Sequence, residues 1–140
     1  DGILDLNRRG CRIKDAVGAN RLLRDSGFKV GFHVMPNLPG ATVADDEEMF
    51  RNLFSDEGRR PDFLKIYPTL VIGGTELHRL WREGSYRALS NEEAVELIAK
   101  AHRYLPRWVR VARIQRDTPA PMIADGVTRS NLRELVEERR

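Results

Sequence analysis

An α/β fold, with parallel strands and outer helices, is predicted by three features of the 140-residue sequence. Amphipathic helical stretches alternate with short apolar ones. Proline or glycine marks most boundaries, and capping residues stand where helices should begin. Strands that alternate with helices argue for right-handed crossovers and a parallel sheet. Three strands are too few to close an eight-stranded barrel, so they suit part of a (β/α) barrel, with a small doubly wound sheet as the alternative.

Each element has its own signal. Ile13, Ala16, Val17 and Leu23 recur at helical spacing, with Leu22 adjoining, and Gly27 follows as a stop. Phe28 to Met35 reads as a strand. Thr42 caps the next helix, where Asp45, Asp46, Glu47 and Glu48 suit the positive end and Met49, Phe50, Leu53 and Phe54 form the buried face. The stretch "DFLKIYPTLVI" predicts a second strand broken by Pro68. A short helix over Thr75–Glu83 turns Leu77, Leu80 and Trp81 inward. Ser90 and Glu93 make a capping-box pattern for a helix carrying Ala94, Leu97, Ile98, Ala101 and Leu105, which Pro106 ends. "WVRVARIQR" is a third strand, Pro119 and Pro121 open a loop, and a last helix starts near Ser130.

The length suits one domain or part of one. The apolar runs are short and broken by charge, so no membrane span is expected. A single cysteine, Cys11, excludes an internal disulfide and points to an intracellular protein, expected to be cytoplasmic. Asp1 at the start and a helical pattern running into Arg139–Arg140 suggest a segment of a longer polypeptide. The net charge is only +3, yet Arg103, Arg107, Arg110, Arg113 and Arg116 fall in one stretch without an acid. That stripe suits phosphate, or a solvated face.

Candidate ligand contacts lie at the strand ends, where parallel α/β folds bind their ligands. The loop "MPNLPGAT" is neither a P-loop nor GxGxxG. It reads as a tight turn whose amides and following helix start could meet an anion. His33 shares a strand face with Gly31 and Met35 by alternation. Lys65 is unusual in an apolar strand. It lies on one face with Tyr67, where the pair could hold an anion or a base; the plain alternative is a lysine snorkelling at a strand end. Alternation groups Arg113, Gln115 and Asp117 on one face of the third strand. It puts Arg110 and Arg116 on the other, with structural ion pairing as the equal alternative to phosphate binding. His78 and His102 have no partner at ligand spacing, so no metal site is expected from this chain. Cys11 precedes a helix but has no evident base, and no serine sits in a nucleophile elbow.

Together, "NRRGC", "GFKVGFHVMPNLPG", "RPDFLKIYPTLVI", "RWVRVARIQRDTPA" and "SNLRELV" resemble, in order and along nearly the whole chain, the catalytic subunit of Elongator. The resemblance implies a radical S-adenosylmethionine domain joined to an acetyltransferase-like domain that modifies C5 of the wobble uridine of tRNA. It implies a [4Fe–4S] cluster, S-adenosylmethionine, acetyl-CoA and a carboxymethyl-type product. Residues 1–140 would be the later half of the radical barrel, with the three-cysteine motif before it and the acetyltransferase-like domain after it. Cys11, which stands where many relatives carry histidine, belongs to no three-cysteine motif, so the segment is expected to be catalytically incomplete alone. On strand position, His33, Met35, Lys65 and Tyr67 are expected near S-adenosylmethionine. Arg110, Arg113, Gln115 and Arg116 are expected near RNA. The expected partners are tRNA and the missing domains or partner subunits, with no DNA. Two other readings are a half-barrel of another radical enzyme and a non-enzymatic RNA-binding remnant.

Overall fold

The computed structural model describes residues 1–140. Two helices, α1 (Gly2–Leu6) and α2 (Ile13–Asp25), precede strand β1 (Gly31–Val34). There follow α3 (Val43–Ser55), β2 (Phe63–Ile66), β3 (Val71–Ile72), α4 (Glu76–Arg82), α5 (Asn91–Ala101), β4 (Arg110–Ile114), β5 (Ile123–Asp125) and α6 (Leu132–Arg139). Strands β1, β2 and β4 form one parallel sheet in that order, and β3 pairs antiparallel with β5. The helix starts follow from capping chemistry. Thr42 accepts from the Asp45 amide while the Asp45 carboxylate takes the Thr42 amide, and Ser90 and Glu93 repeat the exchange. Arg87 grips the Glu93 carboxylate with two hydrogen bonds, which with the Ser90 amide holds its pKa down at about 2.

The core lies on one face of the parallel sheet. Val34, Leu64, Ile66 and Ile114 point to that side and meet Phe50 and Phe54 of α3, Leu97 and Ile98 of α5, and Leu132 and Val136 of α6. Burying such side chains stabilises the fold by about 1.5–3 kcal/mol each. Arg133 of α6 donates to the Val111 carbonyl, which partly covers the edge strand β4.

The structure departs from the sequence expectations in five places. "DFLKIYPTLVI" is not one broken strand. The buried Pro68 and Thr69 turn the chain out of the parallel sheet, and Val71–Ile72 joins the antiparallel pair. The loop opened by Pro119 and Pro121 supplies that pair's other strand, β5. Helix α5 ends at Ala101, where the chain tightens into a 3₁₀ turn over His102–Tyr104 before Pro106. Helix α2 forms, but its apolar stripe is mostly exposed and Asn20 is its one buried residue, held by donation to the Gly58 and Arg60 carbonyls. A bulge at Ala112 shifts β4, so that Phe63 faces Arg110 and Lys65 faces Arg113. That places Arg110 and Arg113 on the same face, against the simple alternation. The α/β class and parallel strands are as expected; the structure shows an open three-stranded sheet covered by helices on one face.

Candidate functional site

The loop after β1 is held from four directions. The Pro36 carbonyl accepts from both the amide and the hydroxyl of Thr69, at 3.0 and 2.8 Å. Asn37 adopts a left-handed conformation, with φ 63°, and its amide donates to the Asp46 carboxylate of α3 at 2.7 Å. The Asn37 side-chain amide donates to the Tyr86 hydroxyl and to the Arg87 carbonyl, and Tyr86 donates back to the Asn37 carbonyl. Asn7 donates to the Pro39 carbonyl. Gly40 has φ 85°, and a Cβ there would lie 2.4 Å from Leu6, so only glycine fits this turn without strain.

This network overturns the idea that the loop's amides and the α3 start await an anion. The Asn37 amide is taken by Asp46, and the Thr42 amide by Asp45. Two carboxylates already occupy the positive end of α3. Asp46 is buried, and that burial pushes its pKa up to about 6 against the opposing pull of the Asn37 amide. The loop is a rigid scaffold.

What it frames is the sheet face opposite the helices. In register, Gly31, Phe63 and Arg110 form one row across that face, and His33, Lys65 and Arg113 form the next. Paired residues in a parallel sheet share a face, so two rows present cations beside one aromatic. The His33 and Tyr67 rings meet edge to face, 5.4 Å between centroids. Gly31 leaves room for the Phe63 ring, which would have to shift to admit a Cβ, 2.0 Å away. Of His33, Lys65, Arg110 and Arg113, only Arg113 is ion-paired, to Asp117 at 3.2 Å. Met35 stands one step beyond the second row and lines a neighbouring cleft.

That cleft, about 530 Å³, opens at the C-terminal ends of β1 and β2. Met35, Leu38, Leu70, Leu77 and Leu80 give it apolar walls, and the Arg8–Glu76 pair, with two hydrogen bonds at 3.2 and 3.3 Å, closes its rim. Trp81 donates to Asp125 at 2.7 Å, tying α4 to β5 beside it. Alternation does not reveal α1, Asn7 or Arg8 as parts of this region. The only sequence signal for them is the "NRRGC" stretch.

The structure thus brings His33, Lys65, Tyr67, Arg110 and Arg113 to one face, with Met35 at its edge. Arg116 lies exposed beyond β4. Gln115 differs: its backbone is left-handed at φ 73°, its amide donates to the Ile66 carbonyl at 2.8 Å, and its Oε1 is buried without a hydrogen-bond partner. The residue as a whole is half-buried at the end of β4. No group of three His, Cys, Asp or Glu side chains could hold a metal ion, and Cys11 is exposed and isolated. The donor set for an iron–sulfur cluster is therefore not in these residues. No helix is long and apolar enough to cross a membrane.

Residues 61–140 match the family described as the radical SAM C-terminal domain, and the chain belongs to that family. Over 134 residues it is 48% identical to the tRNA uridine(34) acetyltransferase of Methanocaldococcus jannaschii, a match covering 96% of this chain and 25% of that protein. Against the Elongator complex protein 3 of Mus musculus the identity is 47% over 127 residues, covering 91% and 23%. The solved archaeal Methanocaldococcus infernus Elp3 with an N-terminal deletion superposes with a TM-score of 0.92 at 47% identity, over 98% of this chain and 32% of that one. The chain spans about a quarter of the length of these curated relatives.

Proposed function

We propose that residues 1–140 are the later part of the radical SAM domain of a tRNA-modifying enzyme. That enzyme would use S-adenosylmethionine radical chemistry and acetyl-CoA to build a carboxymethyl-type group on C5 of the wobble uridine. The observation that carries the reading is identity near one half, along nearly the whole chain, to proteins named for acetyl transfer to tRNA uridine(34). The chain would form the closing strands of a (β/α) barrel, with its open sheet face turned inward. The cluster ligands and the acetyl-CoA site would lie in the three quarters of the relatives' length outside this chain, which makes the segment incomplete alone.

The residues present suit S-adenosylmethionine, though not the cluster. Lys65 and Arg113 offer charge-assisted donors to its carboxylate. The His33 and Tyr67 rings and Met35 offer aromatic and apolar surface. When bound, S-adenosylmethionine would supply the radical; this chain's residues would bind and orient it and keep water out. Nucleoside analysis of tRNA treated with the intact polypeptide, S-adenosylmethionine and acetyl-CoA tests the reading. The expected result is a carboxymethyl-type uridine at the wobble position, and unmodified uridine there would count against it.

Arg110 and Arg116 would meet the RNA along the edge strand, Arg113 being given to S-adenosylmethionine by its place beside Lys65, while Gln115 would brace the turn after β4. Replacing these two arginines by glutamine is expected to weaken tRNA binding and to flatten its salt dependence by about 0.9 in log–log slope for each phosphate no longer neutralised. Filter binding at several salt concentrations measures this. An unchanged slope would remove these residues from the RNA surface.

A further inference from the structure

A second basic site lies outside the sheet face. At the N-terminal end of β4, a cavity of about 340 Å³ opens between the turn before the strand and α6. Arg107, Arg133 and Arg140 line it, with His102 on one wall and Glu137 as its single carboxylate. These cations are poorly neutralised. Arg139, the neighbour of Arg140, is engaged by Glu92 and Glu96, whereas no ion pair holds Arg107, Arg133 or Arg140, and Arg133 reaches only the Val111 carbonyl. Lys100, nearby on α5, is paired with Glu47 and Glu96.

His102 reports on this surplus. Its Nδ1 lies 2.8 Å from the Ile98 carbonyl, which fixes that nitrogen as the donor and leaves Nε2 for the surroundings. Burial lowers its pKa first, and the positive charges of Arg140 and Arg133 lower it further, against the pull of the Ile98 carbonyl and Glu137. Three guanidinium groups converging on a cavity with one carboxylate lack an anion, and phosphate matches the guanidinium fork.

We propose that this cavity is a phosphate-binding site formed by Arg107, Arg133 and Arg140, and that it takes a phosphodiester of an RNA strand running along the β4 edge. The RNA clause rests on the function proposed above; the phosphate site does not. Val109, Val111 and Ile114 also line the cavity, so it runs along the β4 edge that such a strand would follow.

The test titrates inorganic phosphate, and separately a short single-stranded RNA, into the intact polypeptide while NMR follows the His102 imidazole, assigned by its loss in His102→Gln. A bound anion stabilises the imidazolium, so phosphate is expected to raise the His102 pKa. In the double variant Arg107→Gln/Arg140→Gln, phosphate binding is expected to weaken roughly tenfold. Arg129→Gln, outside the cavity, should bind as before. If RNA and phosphate both move His102, the site takes a nucleic-acid backbone. A response to phosphate alone keeps the site and overturns its RNA assignment. If neither probe moves His102, or the double variant responds like the parent, the proposal is overturned. A phosphate response in a polypeptide that leaves uridine unmodified would sink the functional reading while leaving this site standing.

Discussion

Replacing Lys65 by methionine together with Arg113 by glutamine is expected to slow wobble-uridine modification by the intact polypeptide roughly 100-fold and to weaken S-adenosylmethionine binding, with little change in thermal stability. The two residues are direct partners in the β2–β4 register, so they offer their charges side by side on the uncovered sheet face. Lys65 has no ion-pair partner, and Arg113 has only the largely exposed Asp117. Their charges therefore contribute little to holding the chain together, since exposed pairs are worth about 0–1 kcal/mol. A charge-assisted hydrogen bond to a ligand contributes about 1.5–3 kcal/mol, or about tenfold or more for each residue removed. Methionine keeps most of the apolar stem of this half-buried lysine. Binding calorimetry with S-adenosylmethionine, the modification rate and a thermal melt on the same variant separate the possibilities. A rate within about twofold of the parent would remove this row from the ligand site. A lost rate with a collapsed melt would make it structural.

The second large effect concerns Asp46, whose carboxylate accepts from the Asn37 amide at the turn of the first loop. Its folded pKa is pushed up to about 6, first by burial and then by Asp45, while the Asn37 amide pulls the other way. A carboxylate raised in the folded state contributes stability that is fully present below its unfolded pKa, near about 4, and that is lost as pH rises through about 6. Asp46→Asn keeps an acceptor for Asn37 and removes the buried charge. The variant is therefore expected to be more stable than the parent by about 2 kcal/mol at about pH 8, with the gain gone near about pH 4. His102 runs the opposite way. Burial lowers its pKa, so its contribution is present above its unfolded value and is lost as pH falls. Because both proteins keep His102, the difference between them isolates Asp46. Urea melts of the two at about pH 4, 6 and 8 measure it. A constant difference across that range would mean that Asp46 is not the titrating group. The same variant tests the scaffold: if Asn37 needs the charge rather than an acceptor, the loop should loosen and amide exchange at Asn37 should rise at every pH.

Much of the fold was legible because local chemistry and tertiary packing agree. Thr42 with Asp45 and Ser90 with Glu93 announce helix starts by themselves, and Phe50, Phe54, Leu97 and Ile98 fall at the helical spacing that the core uses. Illegible parts were those set by long-range geometry. Nothing local tells Val71 to leave the parallel sheet for Ile123–Asp125; the Thr69 hydroxyl bound to the Pro36 carbonyl does that across 33 residues. Helix α2 shows the converse. Its stripe promises a buried face, but in this chain Ile13, Leu22 and Leu23 remain exposed. The site followed the same division. Lys65 was visible as a charge in an apolar strand, and Tyr67 followed by alternation. The bulge at Ala112, which brings Arg110 and Arg113 to one face, has no sequence signal, and neither does the left-handed backbone of Gln115. Residue types suggested a cation-lined surface; register decided which cations share it.

The function proposed for this chain stands or falls on whether the sheet face carrying His33, Lys65 and Arg113 is the side that meets S-adenosylmethionine. Lysine-selective reductive methylation of the intact polypeptide, with and without S-adenosylmethionine, is the sharpest check, with modification read at each lysine by peptide mass spectrometry. Lys14 and Lys29 are exposed, lie outside the paired rows of this face and serve as internal references. S-adenosylmethionine is expected to slow methylation of Lys65 and to leave Lys14 and Lys29 unchanged. Equal methylation of Lys65 with and without S-adenosylmethionine, at a concentration where binding is saturated, would overturn the assignment of this face.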